Sequence, residues 1–157
     1  MSREKKVFLL SAFLCNFPYT FVVGLVSDRV AGGAFVWYEP WQWAVQFAIG
    51  LCITVFVPLA RWASVMRKRL FPRAEGFGAA AAEFFFSNLI YQTFFSLLST
   101  PFFYCITPAA ERSLKATAAS FIPYFLIGLV MNMAVGLCFI RPCDLIAEAV
   151  IPEEENC

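Results

Sequence analysis

Four long apolar runs restrict the fold of this 157-residue chain more than any other feature of its sequence. They cover residues 7–27, 41–60, 84–107 and 118–140, and none of them contains Asp, Glu, Lys or Arg. A helix needs about 20 predominantly apolar residues to cross the hydrocarbon core of a bilayer. The sequence therefore predicts an all-α integral membrane protein, a four-helix transmembrane bundle built from two tandem helical hairpins.

The order of the runs along the chain predicts where the hairpins begin and end. We assign residues 1–74 to the first two-helix membrane hairpin, residues 75–147 to the second and residues 148–157 to an acidic tail containing Glu153, Glu154 and Glu155. The first run follows several basic residues, as the apolar region of a signal peptide does. It is longer than the ~7–15 residues of a cleaved signal, which predicts a first helix that is retained.

Lysine and arginine are distributed unevenly between the two sides of the predicted bundle. Nine lie in the N-terminal segment, the middle connection and the tail, whereas three lie in the other two loops. Short loops rich in Lys and Arg stay in the cytoplasm. The sequence predicts a multi-pass protein of the bacterial cytoplasmic (inner) membrane with both termini in the cytoplasm.

Several kinds of chemistry lack the residues that they need. The chain has no histidine, which excludes His-ligated haem, His-based zinc sites and Ser-His triads. Its six cysteines include no CxxC pair, and Cys15, Cys52 and Cys138 lie within apolar runs, where thiols usually act as small hydrophobes. With a net charge of +1 the chain has no basic excess for nucleic acid. We expect no enzyme activity, no cofactor, no metal site and no nucleic-acid partner.

The scarce polar residues of the runs recur at a fixed spacing. A shift of 72 residues places three polar positions of the first run on polar positions of the third, Asn16 on Asn88, Tyr19 on Tyr91 and Thr20 on Gln92. A shift of 78 residues relates the second run to the fourth and places Thr54 on Asn132. The spacing predicts an internal duplication, with halves related by an axis along the membrane normal.

A second pattern lies in the first half alone. Asn16 and Thr20 in the first run are followed by Pro58-Leu59-Ala60-Arg61 at the end of the second, before a basic stretch. In this pattern, residues 8–70 resemble a prokaryotic family of short two-helix membrane proteins of unknown function, here apparently in tandem. The second half departs from it, with Gly136-Leu137-Cys138-Phe139 at the corresponding place. The resemblance implies a helical hairpin and no particular activity.

Polar side chains within the runs form the candidate site. Its members are Asn16, Tyr19, Thr20, Thr54, Glu83, Asn88, Tyr91, Gln92 and Asn132. Residues four apart share a helix face, and lipid cannot satisfy an amide, so these faces should point toward other helices or a wet cavity. Two interpretations stay open: hydrogen bonds that fix helix register, or a small polar site between the repeats.

Two further features also leave alternatives. Glu83 lies either inside the membrane, as a functional carboxylate, or at the interface among Arg69 and Arg73. Gly128, Asn132 and Gly136 lie four apart, and such a face of small residues predicts tight association of the second and fourth helices or of two copies.

Three functions fit these observations. The sequence favours a structural, accessory or assembly protein, with the lipid bilayer, a second copy of the chain or other membrane proteins as partners. The alternative is a small solute transporter or channel with a polar site between the two repeats. A membrane enzyme acting on lipids or quinones fits least, because no catalytic constellation is present.

Overall fold

The computed structural model describes residues 2–30, 40–107, 109–110 and 112–151, without the side chains of residues 23–30 and 40. Over these residues it contains five helices and no strand: α1 (Arg3–Val30), α2 (Pro40–Phe56), α3 (Leu59–Leu70), α4 (Gly76–Ile106) and α5 (Leu114–Val150). The all-α prediction is confirmed for this part of the chain. The three glutamates predicted in the acidic tail lie outside the described residues.

Two of the described helices, α4 and α5, are long and apolar enough to cross a bilayer. The pair α2 and α3 would make a third span if it is counted as one, although it is bent by 64° at its break. The span predicted over residues 7–27 runs into positions 23–27, whose side chains are not described, and it stays a prediction. The helices therefore indicate a membrane protein with two or three spans among the described residues.

The span predicted over residues 41–60 is not one continuous helix. Helix α2 ends at Phe56, and the chain turns before α3 begins at Leu59. Pro58 has no N–H to donate to the carbonyl four residues earlier, and its ring disfavours a helical conformation at Val57. The basic helix that follows packs against α4 instead of continuing along α1.

The two helices of the second half are longer than predicted. Helix α4 begins at Gly76 rather than near residue 84, because an alanine-rich stretch of strong helix formers precedes the apolar run. Helix α5 continues to Val150 rather than ending near residue 140, so residues 148–150 are helical and not part of an irregular tail. A proline at position 142 is accommodated inside this helix.

Helix α1 packs antiparallel against the C-terminal part of α5. Arg3 Nε donates to the carbonyl of Ile151 at 3.2 Å, and further along the Cys15 thiol contacts that of Cys143. The start of α1 and the end of α5 therefore lie at the same end of the bundle, which we call the terminal end. The opposite end, where α4 finishes and α5 starts, is called the distal end.

The stripe of small residues on α5 brings this helix close to α4 and α1. A Cβ atom added to Gly128 would clash with the Gln92 side chain of α4, and one added to Gly136 would lie 2.6 Å from Tyr19 Oη of α1. The stripe thus contacts the first and third predicted spans rather than the second. Its glycines let two large polar side chains lie against the α5 backbone.

Candidate functional site

The interior of the bundle is as polar as it is apolar. Eight polar and eight apolar side chains are buried among the described residues, whereas large apolar side chains such as Leu137 (73% exposed) and Phe17 (66% exposed) face outward. A soluble domain of this size buries apolar groups and exposes polar ones. The inverted distribution fits lipid outside and a polar surface between the helices.

Asn16 joins three helices near the middle of α1. Its Nδ2 donates to the carbonyl of Ala12 at 2.8 Å and to Thr54 Oγ1 of α2 at 3.1 Å. Its Oδ1 accepts a hydrogen bond of 3.2 Å from Tyr91 Oη of α4. Thr20, one turn along, donates to the Asn16 carbonyl at 2.8 Å and stays within α1.

A second polar cluster links α4 to α5. Asn132 Nδ2 donates to Gln92 Oε1 at 2.5 Å, and Gln92 Nε2 donates to Ser96 Oγ at 3.1 Å. Asn132 and Gln92 are 2% and 3% exposed, so both amides depend on each other for hydrogen bonds. The repeat aligns Asn132 with Thr54. Each of these side chains is hydrogen-bonded to a polar side chain of the predicted span that precedes it, Asn132 to Gln92 and Thr54 to Asn16.

Tyr19 and Tyr91 form the centre of the bundle. Their rings lie 5.9 Å apart between α1 and α4, at an interplanar angle of 49°. Each hydroxyl lies against a glycine, because a Cβ on Gly136 or on Gly50 would come within 2.6 Å of the Tyr19 or Tyr91 Oη. The glycines at these two positions, in α2 and α5, therefore leave space for the tyrosine hydroxyls.

A cavity of about 260 Å³ lies on the terminal side of the tyrosine pair. We call it the terminal cavity; its polar lining comprises Ser11, Asn16, Tyr19, Ser87, Asn88 and Asp144. Thr54 and Leu59, on the two sides of the break at Pro58, also line it. The bend takes the chain away from α1, and the terminal cavity occupies the space beside that bend.

A second cavity, of about 280 Å³, lies on the distal side. This distal cavity is lined by side chains of α2, α4 and α5 and by Thr107, and many of them carry a hydroxyl or amide group, among them Gln46, Ser96, Ser99, Thr117 and Ser120. Several of these hydroxyls donate to carbonyls of their own helix, as Ser99 Oγ does to Phe95 at 2.7 Å. Each of these hydroxyl oxygens still has lone pairs with which it can accept a hydrogen bond.

A third, much smaller space lies between the two cavities, because it shares lining side chains with both. It has a volume of only about 10 Å³ and shares Tyr19 and Tyr91 with the terminal cavity and Gln46 and Phe95 with the distal one. A single water needs about 10–15 Å³ on this measure. We call these four side chains the constriction, which in this conformation leaves no room for a solute to pass.

Eight of the nine predicted site residues lie in this polar interior. Asn16, Tyr19, Thr54, Asn88 and Tyr91 line the terminal cavity, while Thr20, Gln92 and Asn132 lie at the constriction or beyond it. Glu83 lies apart from them. Its Oε1 pairs with Arg67 of α3 at 3.1 Å, and its side chain is 38% exposed.

Sequence reasoning missed two side chains of the interior. Gln46 is 8% exposed and belongs to the constriction. The shift of 78 residues places it on Tyr124, so the repeat could have indicated this position. Asp144 contributes the carboxylate of the terminal cavity and accepts a 2.5 Å hydrogen bond from Ser11 Oγ. The sequence could have indicated Asp144, because this residue lies on the same four-residue spacing as Gly128, Asn132 and Gly136, beyond the end of the apolar run.

Within the described part of the chain, no three cysteine or carboxylate side chains lie close enough to hold a metal ion. No protein-family model, curated protein or solved structure matches the chain. The resemblance of its first half to two-helix membrane proteins stays a prediction. Any function must therefore be argued from the cavities and the residues that line them.

Proposed function

We propose that this protein is a four-span protein of the bacterial inner membrane that carries a small solute between its two faces, as a transporter or channel. The proposal rests on one observation: cavities of about 260 and 280 Å³ lie on opposite sides of a closed constriction. A solute that entered either cavity would have to pass the constriction, with the tyrosine pair at its centre, in order to cross. The polar stripes predicted from the sequence are the walls of this path.

The arrangement of charge supports an orientation for the path. Arg3 lies at the terminal end beside Ile151, and α3 carries Arg67, Lys68 and Arg69 near the start of α4 at the same end. Arg112, in contrast, lies beyond the distal end of α4. The positive-inside rule then puts the terminal cavity on the cytoplasmic side.

The two halves contribute equivalent side chains to the path, which favours a duplicated origin. Asn16 Nδ2 donates to the carbonyl of Ala12, and Asn88 Nδ2 donates to that of Phe84 at 2.9 Å, four residues back in each case. Tyr19 and Tyr91, related by the same shift of 72 residues, meet at the constriction. Transporters built from repeats place their substrate sites at such an interface near the bilayer midplane.

Cysteine accessibility tests the proposal with a residue that the chain already contains. Cys15 lines the terminal cavity. In a variant that keeps Cys15 and replaces every other cysteine by serine, a membrane-impermeant thiol reagent should therefore label Cys15 from the cytoplasmic side. In a cysteine-free background, Ser99→Cys should be labelled from the opposite side, because Ser99 lines the distal cavity. Leu97→Cys is the matched control on the same helix, since Leu97 is 57% exposed on the outer surface that should contact lipid.

The two results have distinct meanings. Labelling of Cys15 and of Ser99→Cys, each from its own side, together with protection of Leu97→Cys, supports a water-filled path. Protection of both cavity positions would mean that the bundle is dry and would contradict transport.

A role in membrane assembly is the second candidate, and one observation favours it. Among the described side chains, every buried nitrogen and oxygen atom has a hydrogen-bond partner. Such a fully paired interior is what a structural role for Asn16 and Gln92 requires. The labelling experiment separates the candidates, because a purely structural bundle would protect Cys15.

A further inference from the structure

We infer that the terminal cavity binds a small organic cation, with the Asp144 carboxylate as its counter-ion. The inference deepens the proposed function and rests on it, because it names the class of solute that the path would take. It is carried by the charge, the aromatic lining and the volume of the cavity.

The charge of the lining has one sign. Asp144 is the only charged side chain among the described residues around the terminal cavity, and no lysine or arginine lines it. Ser11 Oγ donates to Asp144 Oδ1 at 2.5 Å and holds the carboxylate at the edge of the cavity. A carboxylate at the edge of a cavity between helices attracts a cation and repels an anion more strongly than it would in bulk water.

The rest of the lining suits an organic cation better than a metal ion. Phe8, Tyr19, Phe84 and Tyr91 bring four aromatic rings to the wall. Aromatic faces attract ammonium groups, and such cages recognise quaternary ammonium ligands. Calcium would instead require about six to eight oxygen ligands, carboxylates among them, whereas Asp144 is the only carboxylate in this lining and the other oxygen groups are neutral serine, threonine, asparagine and tyrosine side chains.

The volume limits the size of the ligand. An engineered cavity of about 150 Å³ holds one benzene ring, so about 260 Å³ has room for one ring with a short substituted ammonium group. Benzyltrimethylammonium matches this size and carries a charge that does not depend on pH. Benzyl alcohol and phenylacetate are neutral and anionic probes with the same ring.

The test is equilibrium dialysis of the purified full-length protein in detergent against radiolabelled benzyltrimethylammonium, with the other two compounds as competitors. We expect saturable binding that phenylacetate does not displace and that benzyl alcohol displaces at least about tenfold less well. Asp144→Asn should weaken binding about tenfold or more, because the cation loses the charge attraction of the carboxylate. Asp144→Glu should restore most of the affinity, which separates loss of charge from misfolding.

Glu83→Gln is the matched control, because this carboxylate lies outside the terminal cavity and pairs with Arg67. It should leave the affinity within about twofold, well inside one tenfold step of 1.4 kcal/mol. An affinity that falls equally in Glu83→Gln and Asp144→Asn would overturn the assignment of Asp144.

Two other results would also overturn the inference, and the Cys15 labelling distinguishes them. If benzyltrimethylammonium does not bind, or binds no better than benzyl alcohol, while Cys15 is labelled, the cavity is open to water but is not a cation site. In that case the proposed path survives. If Cys15 is protected as well, the proposed function fails together with the cation site.

Discussion

Replacement of Gly50 by alanine should destabilise the protein, because Gly50 is where α2 meets the tyrosine pair. An added Cβ would lie 2.6 Å from Tyr91 Oη and 2.7 Å from Asn16 Oδ1, closer than carbon and oxygen atoms approach without displacement. Tyr91 has little freedom to move, since its ring is stacked on Phe95 and lies against Tyr19. The same displacement would break the 3.2 Å hydrogen bond between Tyr91 and Asn16.

The size of the effect follows from three contributions. Overpacking of an interior site costs about 1–3 kcal/mol, and loss of the hydrogen bond costs about 1 kcal/mol. Alanine is favoured over glycine in a helix by about 1 kcal/mol, which offsets the second contribution. We expect a net loss of about 1–3 kcal/mol in the free energy of unfolding.

Thermal unfolding in detergent, at one scan rate for all variants, measures this loss. For a chain of this length about 1 kcal/mol corresponds to about 2–4 °C in Tm, so Gly50→Ala should unfold several degrees below the unchanged protein. Gly78→Ala is the matched control, because no atom lies within 4 Å of a Cβ added there. Its Tm should be unchanged or raised by a few degrees, as expected from helix propensity alone.

The result that would refute this reasoning is a Gly50→Ala protein at least as stable as Gly78→Ala. Helix α2 would then not approach the tyrosine pair, and the constriction would have another geometry. Combining Gly50→Ala with Tyr91→Phe provides a second check. Removing the hydroxyl removes the closest contact, so alanine at position 50 should cost less in that background.

Three further predictions address other contacts. Asn132→Leu should lower the free energy of unfolding by about 1–2 kcal/mol, measured by thermal unfolding, because Gln92 Oε1 loses its buried donor. Replacing both Asn132 and Gln92 by leucine should cost less than the sum of the two single replacements. Additive losses would contradict the hydrogen bond between them. Glu83→Gln should cost less than about 1 kcal/mol in the same assay, since its ion pair is partly exposed; a larger loss would place this carboxylate in a dry site. In a variant whose only cysteines are Cys15 and Cys143, oxidation with copper phenanthroline should join α1 and α5 by a disulfide. Titration of free thiols should then find none. Two free thiols after oxidation would contradict the contact between these helices.

The secondary structure could be predicted well because it follows from local rules. Uncharged runs of about 20 residues are helical in nearly any membrane context, and the all-α class is confirmed over the described residues. The break at Pro58 could not be predicted from proline alone, because Pro18, Pro101 and Pro123 lie inside unbroken helices. What differs at Pro58 is the basic amphipathic segment that follows it and packs on α4.

The candidate site was partly accessible to the same reasoning. Polar residues in apolar runs must find partners, which is why Asn16 and Gln92 lie in the interior. Asp144 was not predicted because it lies beyond the end of the apolar run, although the helix continues to Val150. The sequence also could not show that the tyrosines meet between two cavities, since that depends on how α1 and α4 pack side by side.

The most direct test of the central claim is to widen the constriction and ask whether the two cavities join. The protein with Cys15 as its only cysteine is reconstituted in vesicles, and a membrane-impermeant thiol reagent is added to one side at a time. With the tyrosines intact, Cys15 should react only from the cytoplasmic side, whereas with Tyr19→Ala and Tyr91→Ala combined it should react from both. Reaction from the cytoplasmic side alone in the widened variant, or from neither side in both proteins, would contradict a path that the tyrosine pair closes.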